Sequence, residues 1–380
     1  MSEIPHAEFA ARLEGLRALI RAAGLDAYVV SDKESVYYLT GATYEPLERP
    51  FFIVIDGGDR ADMIVPLLEQ RHLAKAPPWF AIQVYREFPA PAGEGWAERL
   101  ASALDSSAVI GVEPSLPHAQ ARAIKDGHVA VHAFVEHLRL VKSPLEVSLL
   151  RRSAGFAVKA TQTLLNASGY GRSIAEGFLA KRGVMQEVIA SLPVWEVMTT
   201  DITMATWAAP RSADPHSIPA MTDMIGDGPH VALVLSRING YATECERTFF
   251  ASAPSADDRA LFGLMMEARA IGLSLVRPGV RGAEIDAAVN DYLKGRGHGG
   301  HLLHRTGHGF GLGGHEGPWI AEGSDDVLAA NMVISIEPGI YLPGYGGYRH
   351  SDTILVTADG YEVLTPLATD LDSLTLAGTA

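Results

Sequence analysis

After residue 200 the chain sets short apolar stretches, VALVLS, MVISI and DTILVT, between connections crowded with glycine and histidine. The densest of these connections is GRGHGGHLLHRTGHGFGLGGHEGP, residues 295–318. Apolar runs this short read as buried strands, and glycines between them allow close approach of backbone or ligand. His-rich tracts bind metals or line turns around an organic ligand. No motif recurs at the spacing of roughly 20–50 residues that marks a solenoid or propeller. The glycines also lack the G-x-x-x-x-G-K-[ST] pattern of a phosphate-binding loop.

The first half has a different texture. Phe9, Leu13, Leu16 and Ile20 recur at helical spacing, and Gly24 ends that run. The segments 27–31, 51–55, 62–66 and 108–112 read as buried strands with helical stretches between them, which predicts one layered α/β domain with a parallel or mixed sheet. Ser143 is placed to cap a helix with Pro144 and Glu146 in its first turn, running to about Asn166. A second helix pattern spans about 173–190. The domain boundary is therefore expected near 137–143, giving domains at 1–137 and 138–380. At 380 residues, two domains are expected on length alone.

Charge narrows the partners. Asp plus Glu number 45 against 31 Lys plus Arg, a net charge of −14. That balance argues against nucleic acid and against an anionic membrane surface. No apolar run approaches the roughly 18 residues of a membrane span. The sole cysteine, Cys245, excludes an internal disulfide, and its position between two acids disfavours a thiolate nucleophile. The expectation is a cytoplasmic enzyme acting on a small molecule.

Polar residues gather in clusters: Glu48-Arg49; Arg211-Ser-Ala-Asp-Pro-His216; Tyr241 through Thr248; Gly307 to Glu316; Glu337-Pro-Gly339; and Arg349-His350-Ser351-Asp352. Glu244 and Glu246 are two apart, so on a strand they share a face. Carboxylates on one face repel, so one is expected to have a raised pKa or to be paired with Arg247, a histidine or a metal. A carboxyl of raised pKa beside a histidine is an acid–base pair in outline. Trp207 and Tyr241 are candidate walls, and Trp195 reads as core packing.

GHGFGLGGHEGP, MVISIEPGIY and GYRHSDTILVT resemble the C-terminal "pita-bread" domain of the creatinase, prolidase and aminopeptidase P superfamily. The resemblance extends from about Leu138 to the C-terminus, and the first ~135 residues resemble the smaller N-terminal domain of the same superfamily, through weaker motifs. It implies an α+β fold: a curved antiparallel sheet with covering helices, plus the smaller α/β domain. Its metallopeptidase members hold two divalent metals with two Asp, one His and two Glu. The family's His falls on His308 and its first Glu on Glu337. Its second Glu falls on Ser351 and its second Asp on Glu244. Its first Asp falls about seven residues before Gly240, in VALVLS, which holds no carboxylate. Two adjacent dications need several anionic oxygens, so a pair is not expected. A single ion on Glu244, His308 and Glu337 is the alternative.

The chain also resembles the metal-independent branch typified by creatinase and by ectoine hydrolases. That likeness places general acid–base catalysis on His216, with Glu246 and Glu337 holding a cationic C–N group. It places a substrate carboxylate on Arg49, aided by Arg349, and substrate contacts on Tyr241, Glu244, His308, His315 and His350. It implies a homodimer in which one subunit's N-terminal domain reaches its partner's active site. The leading expectation is thus hydrolysis of a C–N bond in a small amidine, guanidine or amide bearing a carboxylate, with no cofactor. Two alternatives stand beside it: an Xaa-Pro metallopeptidase with an altered metal site, where His315 meets the scissile peptide, and a non-catalytic pita-bread binding module.

Overall fold

The structure, a computed structural model, describes residues 3–105, 108–124 and 128–376. The chain divides into two compact units, Met1–Arg139 and Leu140–Ala380. Among the described residues, no helix is long and apolar enough to cross a membrane.

The first unit is built on a six-stranded sheet. Its strands are β1 (Ala27–Val30), β2 (Phe52–Ile55), β3 (Ala61–Pro66), β4 (Ala81–Tyr85), β5 (Val109–Val112) and β6 (His128–Val131), in the order β4-β3-β2-β1-β5-β6. The pairs β1/β5, β5/β6 and β3/β4 are parallel and the others antiparallel, so the sheet is mixed. Helix α1 (His6–Ala22) buries Phe9, Leu13, Leu16 and Ile20, the residues whose spacing predicts it. Strands β4 and β6 escape sequence reading because they lack a continuous apolar run: β4 is mostly half-exposed, and Val131 of β6 is exposed.

The second unit is an eight-stranded sheet covered by long helices. Its central strands are β7 (Asp201–Trp207), β8 (His230–Ile238), β9 (Tyr241–Phe249), β10 (Gly307–Gly309), β11 (Glu316–Ile320), β12 (Val333–Ile336) and, after the small hairpin β13 (Gly339–Leu342) and β14 (Gly346–Arg349), β15 (Ser351–Val356). The order is β11-β10-β12-β15-β9-β8-β7, all antiparallel along this path, and the eighth strand, β16 (Tyr361–Val363), pairs antiparallel with β15 off the path. This is the curved antiparallel sheet of the pita-bread fold.

Helix α2 (Pro144–Asn166) starts where a capping box forms between Ser143 and Glu146, with Pro144 in the first turn. Its buried stripe, Val147, Leu150, Ala154, Ala157 and Leu164, covers one face of β8 and β9. Truncating a side chain such as Leu164 in that layer costs about 2–5 kcal/mol. The turn between β8 and β9 is Asn239-Gly240, both with positive φ, 46° and 94°. Two such residues make the tight hairpin whose twist matches the strands. That turn fixes the register Leu233↔Glu246 and Leu235↔Glu244.

Period-two alternation then sorts β9. Cys245 and Phe249 join the core with α2, and Thr243 hydrogen-bonds to Ser153 of that helix at 3.1 Å. Glu244 and Glu246 face the other side. Every residue of β9 is buried, so its charged pair is buried too.

Candidate active site

On the sheet face opposite α2, Glu244 and Glu246 floor a cavity of about 310 Å³. Its other walls are Trp207, Pro215, His216, Leu233, His315, Glu337 and Arg349. The volume is that of a small-ligand site. Glu337 follows β12, and Arg349 closes β14. His216 sits exposed on the loop after β7, where Trp207 Nε1 donates 2.8 Å to the carbonyl of Ser217.

Ion pairs organise the floor. Arg349 grips Glu246 through both carboxylate oxygens, Nε to Oε2 at 2.5 Å and Nη2 to Oε1 at 2.8 Å. The Tyr341 hydroxyl also contacts this guanidinium and lies 2.7 Å from His304 Nε2. Since His304 Nδ1 faces the Arg305 carbonyl at 2.8 Å, Nδ1 carries the proton and Nε2 accepts from Tyr341. Burial opposes the Arg349 charge, but Glu246, Tyr341, Glu337 and Glu244 outweigh it and hold the guanidinium charged.

His308 and Glu337 form the second pair, Nε2 to Oε1 at 3.1 Å. Burial pushes the Glu337 carboxyl up. The hydrogen bond and charge of His308, with His304 and Arg349, reverse that and hold it at about 2. Ser335 adds a 3.1 Å hydrogen bond to the same carboxylate. Burial likewise opposes charge on His308, yet Glu337 and Glu244 raise its pKa. His315 stacks on His308, ring centroids 3.8 Å apart. Burial and the His308 charge lower His315 to about 4, so it is neutral.

Among the described residues, Glu244 has no ion pair of its own. Burial and the neighbouring Glu337 raise its pKa, against His308, Arg349 and the Ser351 hydroxyl. Ser351 Oγ donates to Glu244 Oε1 at 2.8 Å.

Seven of the sequence-derived residues therefore meet at one place: His216, Glu244, Glu246, His308, His315, Glu337 and Arg349. Three do not. Tyr241 points to the helix side of β9 and donates to Glu146 Oε1 at 3.1 Å, which corrects its reading as a substrate contact. His350 is corrected for the same reason: alternation turns it away from the pocket, fully buried beside Asp352, Arg247 and Arg269. Arg49 lies in the first unit and pairs with Glu48 at 2.7 Å and Glu87 at 2.6 Å. Trp207 is a wall; Trp195 neither lines the pocket nor packs in the core as expected, since it is exposed; and Cys245 is buried in the core.

Sequence reasoning missed Leu233, Pro215, His304 and Tyr341. A signal for Leu233 was present. The Asn239-Gly240 turn puts it directly across from Glu246, on the same face.

The donors fit one divalent ion and not two. Oxygens and nitrogens of Glu244, His308 and His315 lie within 4.8 Å of one another, as do those of Glu244, Glu246 and Glu337. His308 is prepared as a ligand: Nδ1 faces the Gly309 carbonyl at 3.1 Å, which leaves Nε2 to face Glu337. In the second group, however, both Glu246 oxygens already answer Arg349. Where a further carboxylate would complete a pair of ions stand the apolar Leu233 and the hydroxyl of Ser351.

A curved antiparallel sheet bearing a buried carboxylate–imidazole pocket, with a separate α/β unit before it, defines a class of hydrolases acting on C–N bonds. Comparison with known proteins gives the same class. Residues 12–141 match the creatinase/prolidase N-terminal domain and 172–358 match metallopeptidase family M24. The Xaa-Pro dipeptidase of Pyrococcus furiosus is 27% identical over 366 residues, covering 95% of this chain and 99% of that protein. The structure of dipeptidase PepE from Mycobacterium ulcerans superposes with a TM-score of 0.86 at 26% identity, over 99% of this chain and 100% of that one. An Xaa-Pro dipeptidase from Bacillus anthracis gives 0.80 at 27%, over 96% and 99%. The chain belongs to the creatinase/prolidase family, M24. These relatives do not support the metal-independent creatinase or ectoine hydrolase branch, and the one-ion donor set does not support the expectation of no cofactor.

Proposed function

We propose that the protein is a dipeptidase of the Xaa-Pro type working with no more than one divalent ion. The observation that carries this is that Glu244 and Glu337 line a pocket of dipeptide size with His308 Nε2 directly behind, 3.1 Å from Glu337, on a chain similar over nearly its full length to Xaa-Pro dipeptidases. Glu244, His308 and Glu337 would hold the ion, with His315 alongside. When bound, an ion there supplies Lewis acidity toward a carbonyl oxygen and a water.

The chain's own residues supply the rest. Trp207, Pro215 and Leu233 form an apolar wall suited to a pyrrolidine ring or an aliphatic side chain. Water adds to the scissile carbonyl carbon as His216 takes one of its protons, the C–N bond breaks, and the departing nitrogen receives that proton. His216, exposed on the rim, is placed to deliver that proton. Neutral His315 is placed to donate a hydrogen bond to the peptide.

A second reading, hydrolysis of a small amidine or guanidine without metal by His216, Glu246 and Glu337, draws on one observation: an aliphatic Leu233 faces the carboxylates. A panel of Ala-Pro, Leu-Pro, creatine and ectoine, each assayed with and without chelator alongside elemental analysis, separates the two. Chelator-sensitive cleavage of the dipeptides is expected. Chelator-insensitive turnover of creatine or ectoine alone would replace the first reading with the second.

A further inference from the structure

We propose that the Arg349 guanidinium occupies the place of a second metal ion, so that this chain binds at most one divalent ion per subunit. The inference concerns binding alone and holds whichever substrate is cleaved.

The carboxylates decide it. Glu244, Glu246 and Glu337 are all buried and bring their oxygens within 4.8 Å of one another. Three carboxylates at that spacing ionise together only with positive charge close by, and burial pushes Glu244 and Glu246 toward their protonated forms. His308 answers Glu337. Arg349 answers Glu246 with a 2.8 Å hydrogen bond from Nη2 to Oε1 and an ion-pair contact of 2.5 Å from Nε to Oε2. Glu244, with His308 and Glu337 beside it, is left for one added cation, and Ser351 adds no charge that would hold a second.

Arg349 is built into this position. It is 5% exposed, Glu246 holds one edge of the fork, and Tyr341 contacts it while anchored by His304. A permanent cation fixed on two sides is not displaced by a dication without leaving a charge buried and unpaired, which is a large penalty. Beyond Glu246, the next side chain across the hairpin is Leu233, which offers no oxygen.

The test is metal stoichiometry in the absence of substrate. Purified chain is equilibrated with excess Mn²⁺, freed of unbound ion and measured by elemental analysis. Low-temperature electron paramagnetic resonance on the same samples distinguishes isolated from spin-coupled Mn²⁺. Wild type is expected to saturate at no more than one ion per chain, with no coupled signal. Arg349→Met keeps the stem and removes the charge, and is expected to bind one more ion than wild type, with a coupled signal. Leu233→Asp supplies an oxygen while leaving the Arg349 pair intact, and is expected to stay at the wild-type ratio with no coupled signal, because the guanidinium still fills the place. Thermal melts and circular dichroism identify any variant that fails to fold, and the wild-type ratio decides on its own if both do. Two ions per wild-type chain would overturn the proposal, as would folded Arg349→Met with an unchanged ratio. Because dipeptide turnover is not measured here, loss of the dipeptidase reading and loss of this one are separate results.

Discussion

Trp207 and Ser217 are joined by a 2.8 Å hydrogen bond from the indole nitrogen to the main-chain carbonyl, and the loop it closes carries His216. Trp207 also walls the pocket, so one side chain shapes the cavity and tethers the rim. Trp207→Phe keeps an aromatic wall and deletes only the donor. A single neutral hydrogen bond is worth about 0.5–1.5 kcal/mol net. The expected outcome is a fall of about tenfold in kcat with a melting temperature shifted by only a few degrees. An unchanged kcat would mean that this tether does not position the rim.

His216 itself is exposed, so its removal should leave stability almost untouched. As the proton donor to the leaving nitrogen it should contribute about 10²–10⁴-fold to rate. His216→Asn is expected to lose at least a hundredfold in kcat. Activity within threefold of wild type would transfer the proton-donor role elsewhere.

Much of this site could be read from spacing. Glu244 and Glu246 share a face because strands alternate, and a short strand ending in Glu-Pro-Gly brings Glu337 to the same floor. The same alternation, applied from Arg349 through Asp352, turns His350 away from the pocket, yet the motif likeness drew it in. Tyr241 failed for a parallel reason: its partner, Glu146, lies 95 positions away on a helix, and no local pattern announces that contact. The metal question was legible only in part. The missing carboxylates in VALVLS and at Ser351 are visible as letters, but the capture of both Glu246 oxygens by Arg349 emerges only when β9 and β14 are folded side by side.

The reassignment of His350 makes a prediction that runs against its sequence reading. The side chain is fully buried and its ring nitrogens lack hydrogen bonds. The nearest carboxylate oxygen, Asp352 Oδ2, is 3.6 Å away, too far for a hydrogen bond. Burial, with the charge of Arg247, lowers its pKa to about 3. A histidine held neutral in the fold and free to protonate when unfolded costs stability as pH falls below about 6.5, down to about 3. His350→Leu is expected to keep kcat/KM within twofold of wild type and to melt higher than wild type at pH 4–5. A large loss of activity in a folded His350→Leu protein would return this residue to the site.

Its neighbour Asp352 should behave in the opposite way. It takes hydrogen bonds from Arg247 at 2.7 Å, Arg269 at 2.5 Å and Thr365 at 2.9 Å, all buried. Asp352→Asn strips the anion from between two buried guanidinium groups. Breaking a buried pair in this way costs about 3–5 kcal/mol. The second unit should therefore melt many degrees lower while any protein that stays folded keeps its pocket. A melting temperature within two degrees of wild type would show that the arginines find other partners.

In the first unit, Glu113 gives a pH dependence of definite sign. It ends the run begun by β5 and is 1% exposed. Its Oε2 accepts from the backbone N–H of Ser31 at 2.6 Å and Asp32 at 2.9 Å, and the Ser35 hydroxyl lies beside the same carboxyl. Burial lifts its pKa to about 7, against those N–H groups and with the nearby Asp32 charge assisting. The folded state thus holds a proton that the unfolded chain, titrating near 4.5, releases. Stability from this group is full below about pH 4.5 and declines as pH rises toward 7, by about 3 kcal/mol in total. Glu113→Gln keeps an acceptor for both N–H groups and cannot ionise. Melting the full chain from pH 5 to 8 should show the wild-type transition of this unit falling relative to the variant, with the gap widening up to about pH 7 and constant beyond it. A gap that stays flat across that range would mean that Glu113 is ionised throughout and that another cation reaches it.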